Sequence, residues 1–278
     1  MYYGLIAAFG YGIADVVATV SARRTGVIPT LLAIQVAGAL AVGVALLIDA
    51  APPAGPAWAW LLAVALASLN FAGMLLLYRA FAIGTLSLVS PIGSGFAVVT
   101  AGLAFVSGER PPLLALVGTA ALVAGVALVS GVMSGGGATL AGIPEAIGAA
   151  LSLGAFYWGL GVIIPELGVL WPVMTSRIVQ ALIALGVLWA RPARLGLPGR
   201  PSLHLCLVAG ILDTVALVAF NVGVESAFTT TTTAITSLYS VVTVFLAWIL
   251  FRERLAPGQW GGVLAVIFGI FLVSISTA

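Results

Sequence analysis

Apolar stretches of about 20 residues follow one another along the chain, and short segments rich in Pro, Gly and Arg separate them. An apolar run of this length crosses the hydrocarbon core of a bilayer as a helix. The separating segments at 49–56 and 191–201 are typical of loops. The pattern predicts ten transmembrane helices, at residues 2–20, 29–48, 58–80, 86–107, 112–132, 143–163, 171–190, 203–224, 230–250 and 256–275.

The composition supports an all-α integral membrane protein. Of the 278 residues, 62% are hydrophobic and only 6% are charged, whereas about 25% are charged in ordinary soluble domains. The first stretch carries Asp15 and lacks a basic leading segment, so we interpret it as a helix rather than a signal peptide. Six of the seven Trp residues lie near predicted span ends, as expected at the headgroup region. Trp158 lies mid-span and is predicted to face a protein neighbour or a cavity.

Two parts of the sequence repeat each other. Residues 108–130 match 252–274 at an offset of 144, with an acid-arginine pair at the start of each. Asn70 and Tyr78 match Asp213 and Asn221 at an offset of 143. We predict a duplication, with repeats at 1–137 and 138–278. Because five spans per repeat is an odd number, the second repeat is expected to be inverted, with a central cavity between the two.

These features resemble the drug/metabolite transporter superfamily, EamA type, over essentially the whole chain. The resemblance rests on "GER" at 108–110, "RER" at 252–254 and the glycine-spaced helix after each, although the second motif lacks the usual leading glycine. It implies a ten-helix secondary transporter in a bacterial inner membrane. Such carriers export small organic metabolites, and YddG-like relatives export amino acids.

Ionisable side chains inside the predicted spans are the first candidates for a site, since each costs roughly 2.5 to 3.5 kcal/mol to insert. Asp15 shares a helical face with Tyr11, and either Asp15 or Asp213 is a candidate to carry a proton or attract a substrate amine. The alternative for Asp15 is a buried salt bridge to Arg177, Arg79 or Arg23.

Arg177 has two interpretations. Its guanidinium is suited to a two-pronged contact with a substrate carboxylate, or it neutralises Asp15 or Asp213, which the sequence favours slightly. Gln35 is interpreted as structural packing.

The repeat-matched polar residues form another candidate set. Asn70 and Tyr78 lie about two turns apart on one helix, and Asp213 and Asn221 do so on another, so each pair is predicted to face inward. These side chains either hydrogen-bond a zwitterionic solute or join the helices to one another.

Mid-span aromatic residues suggest a solute with an apolar or aromatic part. A cage of such rings would hold an apolar group or a cation over a ring face, and helix packing is the alternative. The predicted cage contains Tyr11, Tyr157, Trp158 and Tyr239.

The five consecutive threonines at 229–233 are predicted to begin the ninth span, with Thr229 falling on Thr85 at the 144-residue offset. Threonine hydroxyls can bond back to helix carbonyls, which makes them tolerable in lipid. Thr233 and Ser237 are expected to share a hydroxyl-rich face that lines a solute path, or else packs against another helix.

Other function classes find little support. The only histidine, His204, and the only cysteine, Cys206, fall short of a metal-ligand set. The chain has no lysine and no phosphate-binding "GxxxxGK[ST]" motif, so no ATP site, metal, cofactor or nucleic-acid partner is expected. The expected partners are a small-molecule solute, the lipid bilayer and protons. An intramembrane enzyme using Asp15 and Asp213 as a carboxylate pair, or a channel, is the rival prediction.

The two orientation signals disagree. Seven arginines lie in odd-numbered predicted loops and only Arg110 lies in an even-numbered one, which places both termini outside the cytoplasm. The family resemblance implies that both termini are inside.

Overall fold

The computed structural model describes residues 2–49, 52–110, 112–129, 141–190 and 200–251, together with 261, 262, 264, 265, 268, 269 and 272. Across these residues the structure is helical, and it contains no strand. The helices are α1 (Tyr2–Thr25), α2 (Val27–Asp49), α3 (Ala57–Ile83), α4 (Leu86–Gly93), α5 (Phe96–Val106), α6 (Leu113–Val129), α7 (Ile143–Leu167), α8 (Leu170–Ala190), α9 (Arg200–Ser226), α10 (Thr229–Thr236) and α11 (Tyr239–Phe251).

Seven helical stretches in the described part of the chain are long and apolar enough to cross a membrane. They are Tyr2–Thr25, Val27–Asp49, Ala57–Ile83, Ile143–Leu167, Leu170–Ala190, Ser202–Ser226 and Thr229–Leu250. The prediction of an all-helical, multi-pass membrane protein is therefore confirmed. The number ten stays a prediction, because the span at 256–275 falls mostly outside the described residues and α6 has 17 residues.

The predicted fourth and ninth spans are not continuous helices. The fourth is interrupted at Ser94 and Gly95, between α4 and α5, and the ninth at Ser237 and Leu238, between α10 and α11. Near the second interruption the backbone tightens, since the Leu238 N–H donates to the Ile235 carbonyl three residues earlier, at 3.2 Å. The Ser237 hydroxyl also bonds back to the Ala234 carbonyl at 2.7 Å. The first break lies between two apolar helices, whereas the second separates the threonine-rich α10 from the strongly apolar α11.

The two interruptions correct the register assigned to the threonine run. Leu86 and Thr229 both begin eight-residue helices that end in a right-handed turn at Ser94 and Ser237. These equivalent positions differ by 143, the offset already found between Asn70 and Asp213. Thr229 therefore corresponds to Leu86, and its predicted pairing with Thr85 was wrong by one residue.

Contacts between the two halves of the chain come in matched pairs. Helix α1 packs against α9 as α7 packs against α3, while α2 and α8 pack against each other. The broken spans follow the same rule, since α4 packs against α11 and α10 against α5. Exchanging the two halves thus reproduces the contact pattern. The centre of the molecule is surrounded by α1, α2, α3, α7, α8 and α9.

The turn between α1 and α2 positions two of the central polar side chains. Gly26 alone connects the helices, at a φ of 94° that L side chains rarely adopt. Its N–H donates to the Ala22 carbonyl at 2.9 Å and closes α1. At 1.5 Å per residue, Asp15 lies about 15 Å before this turn and Gln35 about 12 Å after it, so they reach similar depth.

Candidate functional site

A small cavity lies where the broken spans meet α1, α2, α3, α7, α8 and α9. Its free volume is about 30 Å³, room for one or two water molecules. An organic solute therefore fits only after the surrounding helices have moved apart. The lining comprises a polar group (Asp15, Gln35, Asn70, Arg177, Gln180 and Asp213), an aromatic group (Tyr11, Phe96, Phe156, Tyr157 and Tyr239) and four aliphatic residues (Met74, Leu77, Leu153 and Leu217).

Seven of the twelve predicted site residues line this cavity, and five do not. The seven are Tyr11, Asp15, Asn70, Tyr157, Arg177, Asp213 and Tyr239. Tyr78, Trp158, Asn221, Thr233 and Ser237 lie elsewhere.

Arg177 and Asp213 form a buried ion pair at the polar end of the cavity. Arg177 Nη1 lies 2.6 Å from Asp213 Oδ2, and the two side chains are 2% and 7% exposed. Of the two interpretations of Arg177, the structure agrees with the one in which it is the counter-ion of Asp213. Removing one member of such a pair leaves an uncompensated buried charge, which typically costs about 3 to 5 kcal/mol.

Side-chain amides connect the ion pair of α8 and α9 to two further helices. Arg177 Nη1 also donates to Gln35 Oε1 at 2.8 Å, and Gln35 Nε2 donates to Gln180 Oε1 at 3.0 Å. Gln180 Nε2 and Asn70 Nδ2 then both donate to the Ser176 hydroxyl, at 2.6 and 3.3 Å. The network joins α2, α3 and α8, so the predicted packing role of Gln35 was incomplete: it also lines the cavity and orients Arg177.

Gly38 on α2 makes the position of Arg177 sterically possible. A Cβ at Gly38 would lie 2.8 Å from Arg177 Nε and 2.5 Å from Thr214 Oγ1. Because both distances are shorter than real Cβ contacts, a larger residue would displace the guanidinium. Arg177 Nε thus faces the α2 backbone, and the sequence offered no signal for this close approach.

Asp15 lies in the same cavity but has no ion-pair partner within the described part of the chain. It is buried, and its Oδ2 has no hydrogen-bond partner there. The three arginines considered as partners are engaged elsewhere. Arg177 pairs with Asp213, Arg79 pairs with Glu145 at 3.3 Å, and Arg23 donates to the carbonyls of Phe81 and Gly84.

Aromatic rings form a second part of the cavity lining. Tyr157 stacks on Phe96 with ring centroids 4.7 Å apart and meets Tyr11 edge-on at 6.3 Å. Phe96 also stacks on Tyr239 at 6.0 Å. Phe96 and Tyr239 are equivalent positions of the two repeats, each the first residue after its helix break. The breaks therefore deliver one ring from each half to the cavity.

Trp158, predicted to belong to the aromatic cage, lies outside it. The residue is partly exposed, and its indole N–H donates to the Ser107 hydroxyl at 3.0 Å. Trp158 thus points towards the end of α5, whereas its neighbours Phe156 and Tyr157 line the cavity.

Tyr78 and Asn221, the second members of the repeat-matched pairs, also lie outside the cavity lining. Asn221 Nδ2 donates to the Val169 carbonyl at 2.9 Å and joins α9 to the α7–α8 turn. Tyr78 is buried beside Phe81, with ring centroids 6.0 Å apart. The structural alternative, a hydrogen bond that joins helices, describes Asn221, whereas the Tyr78 hydroxyl is buried without a hydrogen-bond partner among the described residues.

The threonine run packs between helices and does not line the cavity. Thr233 Oγ1 donates to the Thr229 carbonyl at 2.7 Å, and the Ser237 hydroxyl likewise bonds within its own chain segment. Helix α10 lies against α1, α5 and α9. The prediction that the run lies on a helix is correct. The threonine hydroxyls are buried by packing.

Glu109 of the first half binds the start of α10 in the second half. Its carboxylate accepts from the Thr230 N–H at 3.3 Å and from the Thr230 hydroxyl at 3.0 Å. A carboxylate at a helix N-terminus satisfies free N–H groups and complements the helix dipole. The acid of the "GER" turn therefore connects the two halves at one end of the molecule.

The fold and site define a polytopic helical membrane protein in two structurally matched halves, with a closed, polar and aromatic cavity between them. Across the described residues, no cluster of His, Cys, Asp and Glu is arranged to hold a metal ion. The chain matches the EamA-like transporter family over residues 1–131 and 141–275. It therefore belongs to that family of membrane transporters, and the two matched segments confirm its two-repeat organisation.

The fold is also found in a solved structure. A crystal structure of a protein aligns with 97% of this chain and 98% of its own length, at a TM-score of 0.74 and 14% sequence identity. At that identity the likeness shows the fold alone. No curated protein matches the chain.

Proposed function

We propose that the protein is a secondary transporter that exports small organic metabolites, amino acids or other amphipathic and aromatic solutes, by alternating access. The observation that carries the proposal is the small cavity between the two repeats, which is lined by both polar side chains and aromatic rings. Family membership supplies the class, a membrane transporter of small solutes.

The proposed arrangement is a pair of inverted five-helix repeats, 1–137 and 138–278, in a bacterial inner membrane. The matched contacts between halves support it, since two similar bodies related by an exchange can rock about a central site. In this mechanism, contacts that join the halves at one end must break when the cavity opens there. The Glu109–Thr230 contact is one such connection.

Protons are the proposed driving ion, with Asp15 and Asp213 as the candidate carriers. Asp15 suits the role better, because its Oδ2 has no partner among the described residues, whereas Asp213 Oδ2 is held by Arg177. The same ion pair disfavours the rival intramembrane enzyme, in which both carboxylates would have to be free for chemistry.

Counterflow in proteoliposomes tests the proposal. Purified protein is reconstituted into vesicles loaded with one unlabelled solute, and uptake of the labelled form is followed for a panel of amino acids and amphipathic amines. A carrier gives saturable uptake that the internal solute stimulates. Uptake that rises linearly with concentration would indicate a channel, and turnover of a lipid without solute flux would indicate an enzyme.

A further inference from the structure

The charges that line the cavity do not balance. Asp15, Asp213 and Arg177 are the only charged residues among the described lining, and in their ionised forms they sum to −1. Since Arg177 is paired with Asp213, the excess negative charge belongs to Asp15. A buried, unpaired charge is costly and needs a counter-ion or a proton.

We propose that the solute is a monovalent organic amine with an apolar or aromatic body and a neutral hydrogen-bond acceptor in place of a free carboxylate. This inference rests on the proposed transport function and narrows the solutes proposed for the same site to amines, excluding free amino acids. The ammonium group binds Asp15, whose Oδ2 has no other partner in the described structure. One positive charge brings the lining to neutrality.

A free amino acid does not fit this balance. Its ammonium group compensates Asp15, but its carboxylate brings a second negative charge, and Arg177 is already neutralised by Asp213. The zwitterion therefore leaves the buried site at −1, as it was before binding. An alcohol or amide in place of the carboxylate avoids this.

Arg177 supplies the donor for the neutral acceptor. Nη1 is occupied by Asp213 and Gln35, and Nε faces Gly38. Nη2 is buried with no hydrogen-bond partner among the described residues. A hydroxyl or carbonyl oxygen of the solute would satisfy it without adding charge.

The aromatic wall accommodates the rest of the solute. Tyr157, Phe96 and Tyr239 form a continuous stack beside the polar group. Such rings bind an apolar body, and their faces also attract an ammonium group. Both halves of the chain contribute, so a bound amine would contact both repeats at once.

A matched series of phenylalanine analogues tests the inference. The wild-type protein in proteoliposomes is given labelled phenylalaninol, and phenylalaninol, 2-phenylethylamine, phenylalanine and 3-phenylpropanoate are compared as competitors at neutral pH. We expect both amines to compete and phenylalanine to be weaker by at least about tenfold, because its carboxylate is uncompensated. Equal competition by phenylalanine would overturn the inference.

Two variants link the preference to its residue. Asp15→Asn should abolish the preference for amines over 3-phenylpropanoate, whereas Glu166→Gln, which removes an exposed carboxylate at the end of α7, should retain it. Retention in Asp15→Asn would overturn the assignment.

Binding is also measured without transport, as protection of the detergent-purified protein against heat by the same four compounds. Protection by amines without counterflow of any probe would refute the carrier and leave the amine selectivity standing. Counterflow of other solutes, with neither protection nor competition by amines, would refute the selectivity alone.

Discussion

Asp15 and Asp213 are two buried carboxylates in the lining of one cavity, on helices α1 and α9 that pack against each other, but among the described residues only Asp213 has a counter-ion. Asp213 is fixed by Arg177, which is in turn held by Gln35 and the amide network. Asp15 has an oxygen without a partner in the described structure.

The difference separates two roles that a sequence cannot distinguish. A charge that is fully paired within the protein stabilises the folded structure. Removing it leaves the partner charge buried without compensation. A charge without a protein partner is available to a solute or a proton. We therefore expect changes at the two residues to affect different measurements.

The largest expected effect on stability is that of Asp213→Asn. The substitution leaves the Arg177 guanidinium buried without its counter-ion, so the protein should lose about 3 to 5 kcal/mol of stability. Asp15→Asn breaks no ion pair within the described part of the chain and should cost less than about 1 kcal/mol by comparison. Thermal unfolding in detergent, with the folded fraction monitored by size-exclusion chromatography, measures the loss of stability in both variants.

The double variant Asp213→Asn with Arg177→Met sharpens this result. Because both charges are removed together, much of the lost stability should return. If Asp15→Asn and Asp213→Asn were equally destabilising, the distinction between a paired and an unpaired carboxylate would be wrong.

The next largest effect on stability is expected for Gly38→Ala, which disturbs the Arg177–Asp213 pair without changing a charge. The added methyl group would clash with Arg177 Nε and Thr214 Oγ1, a kind of overpacking that costs about 1 to 3 kcal/mol. Gly186→Ala on α8 is the control, because no atom of another described segment lies within 4 Å of its Cβ position. Unfolding temperatures should fall for the first variant only; a stable Gly38→Ala protein would show that Arg177 is not held by this contact.

Asp15→Asn should change transport more than stability. If Asp15 carries the coupled proton, the variant should express normally and transport at a rate that no longer depends on pH, because an amide does not titrate. Asp213 and Arg177 are the charged groups that share the cavity with it. Initial rates across a pH series, with Glu166→Gln as control, measure this; an unchanged pH dependence would leave Asp15 a structural role.

The smallest effect is expected for Trp158→Ala, which lies outside both sides of the comparison. Its indole makes one partly exposed hydrogen bond, to Ser107, so the apparent affinity for solute should change less than about twofold. Tyr157→Ala removes a ring that stacks on Phe96 in the cavity and should weaken affinity by about tenfold. A larger loss in Trp158→Ala than in Tyr157→Ala would place the aromatic site elsewhere.

Much of the fold could be predicted, because apolar length and internal repetition depend on local sequence. The match between Asn70 and Asp213 identified equivalent positions that both line the cavity. The helix breaks at Ser94 and Ser237 were not predicted, because each lies within a stretch long enough to form one continuous span. Their register emerged only from the helix ends.

The site was predicted less completely, for a physical reason. The cost of burying a charge indicated Asp15, Arg177 and Asp213, but a neutral amide or a ring gives no comparable signal. Gln35 and Phe96 were therefore missed as lining residues. Tyr78 and Asn221 were chosen from the repeat match and the helical face, although two turns along a helix is far enough to leave a small cavity.

The central claim, that this cavity is the path of a carrier, is tested most directly by the accessibility of one cavity residue from each side of the membrane. Leu217→Cys is made in a Cys206→Ser background, since Cys206 is the only native cysteine, and oriented vesicles are treated with an impermeant thiol reagent from one side or the other. We predict labelling from both sides, at rates that a solute gradient shifts in opposite directions. Equal labelling from both sides that no solute affects, or no labelling in a protein that still transports, would contradict the account.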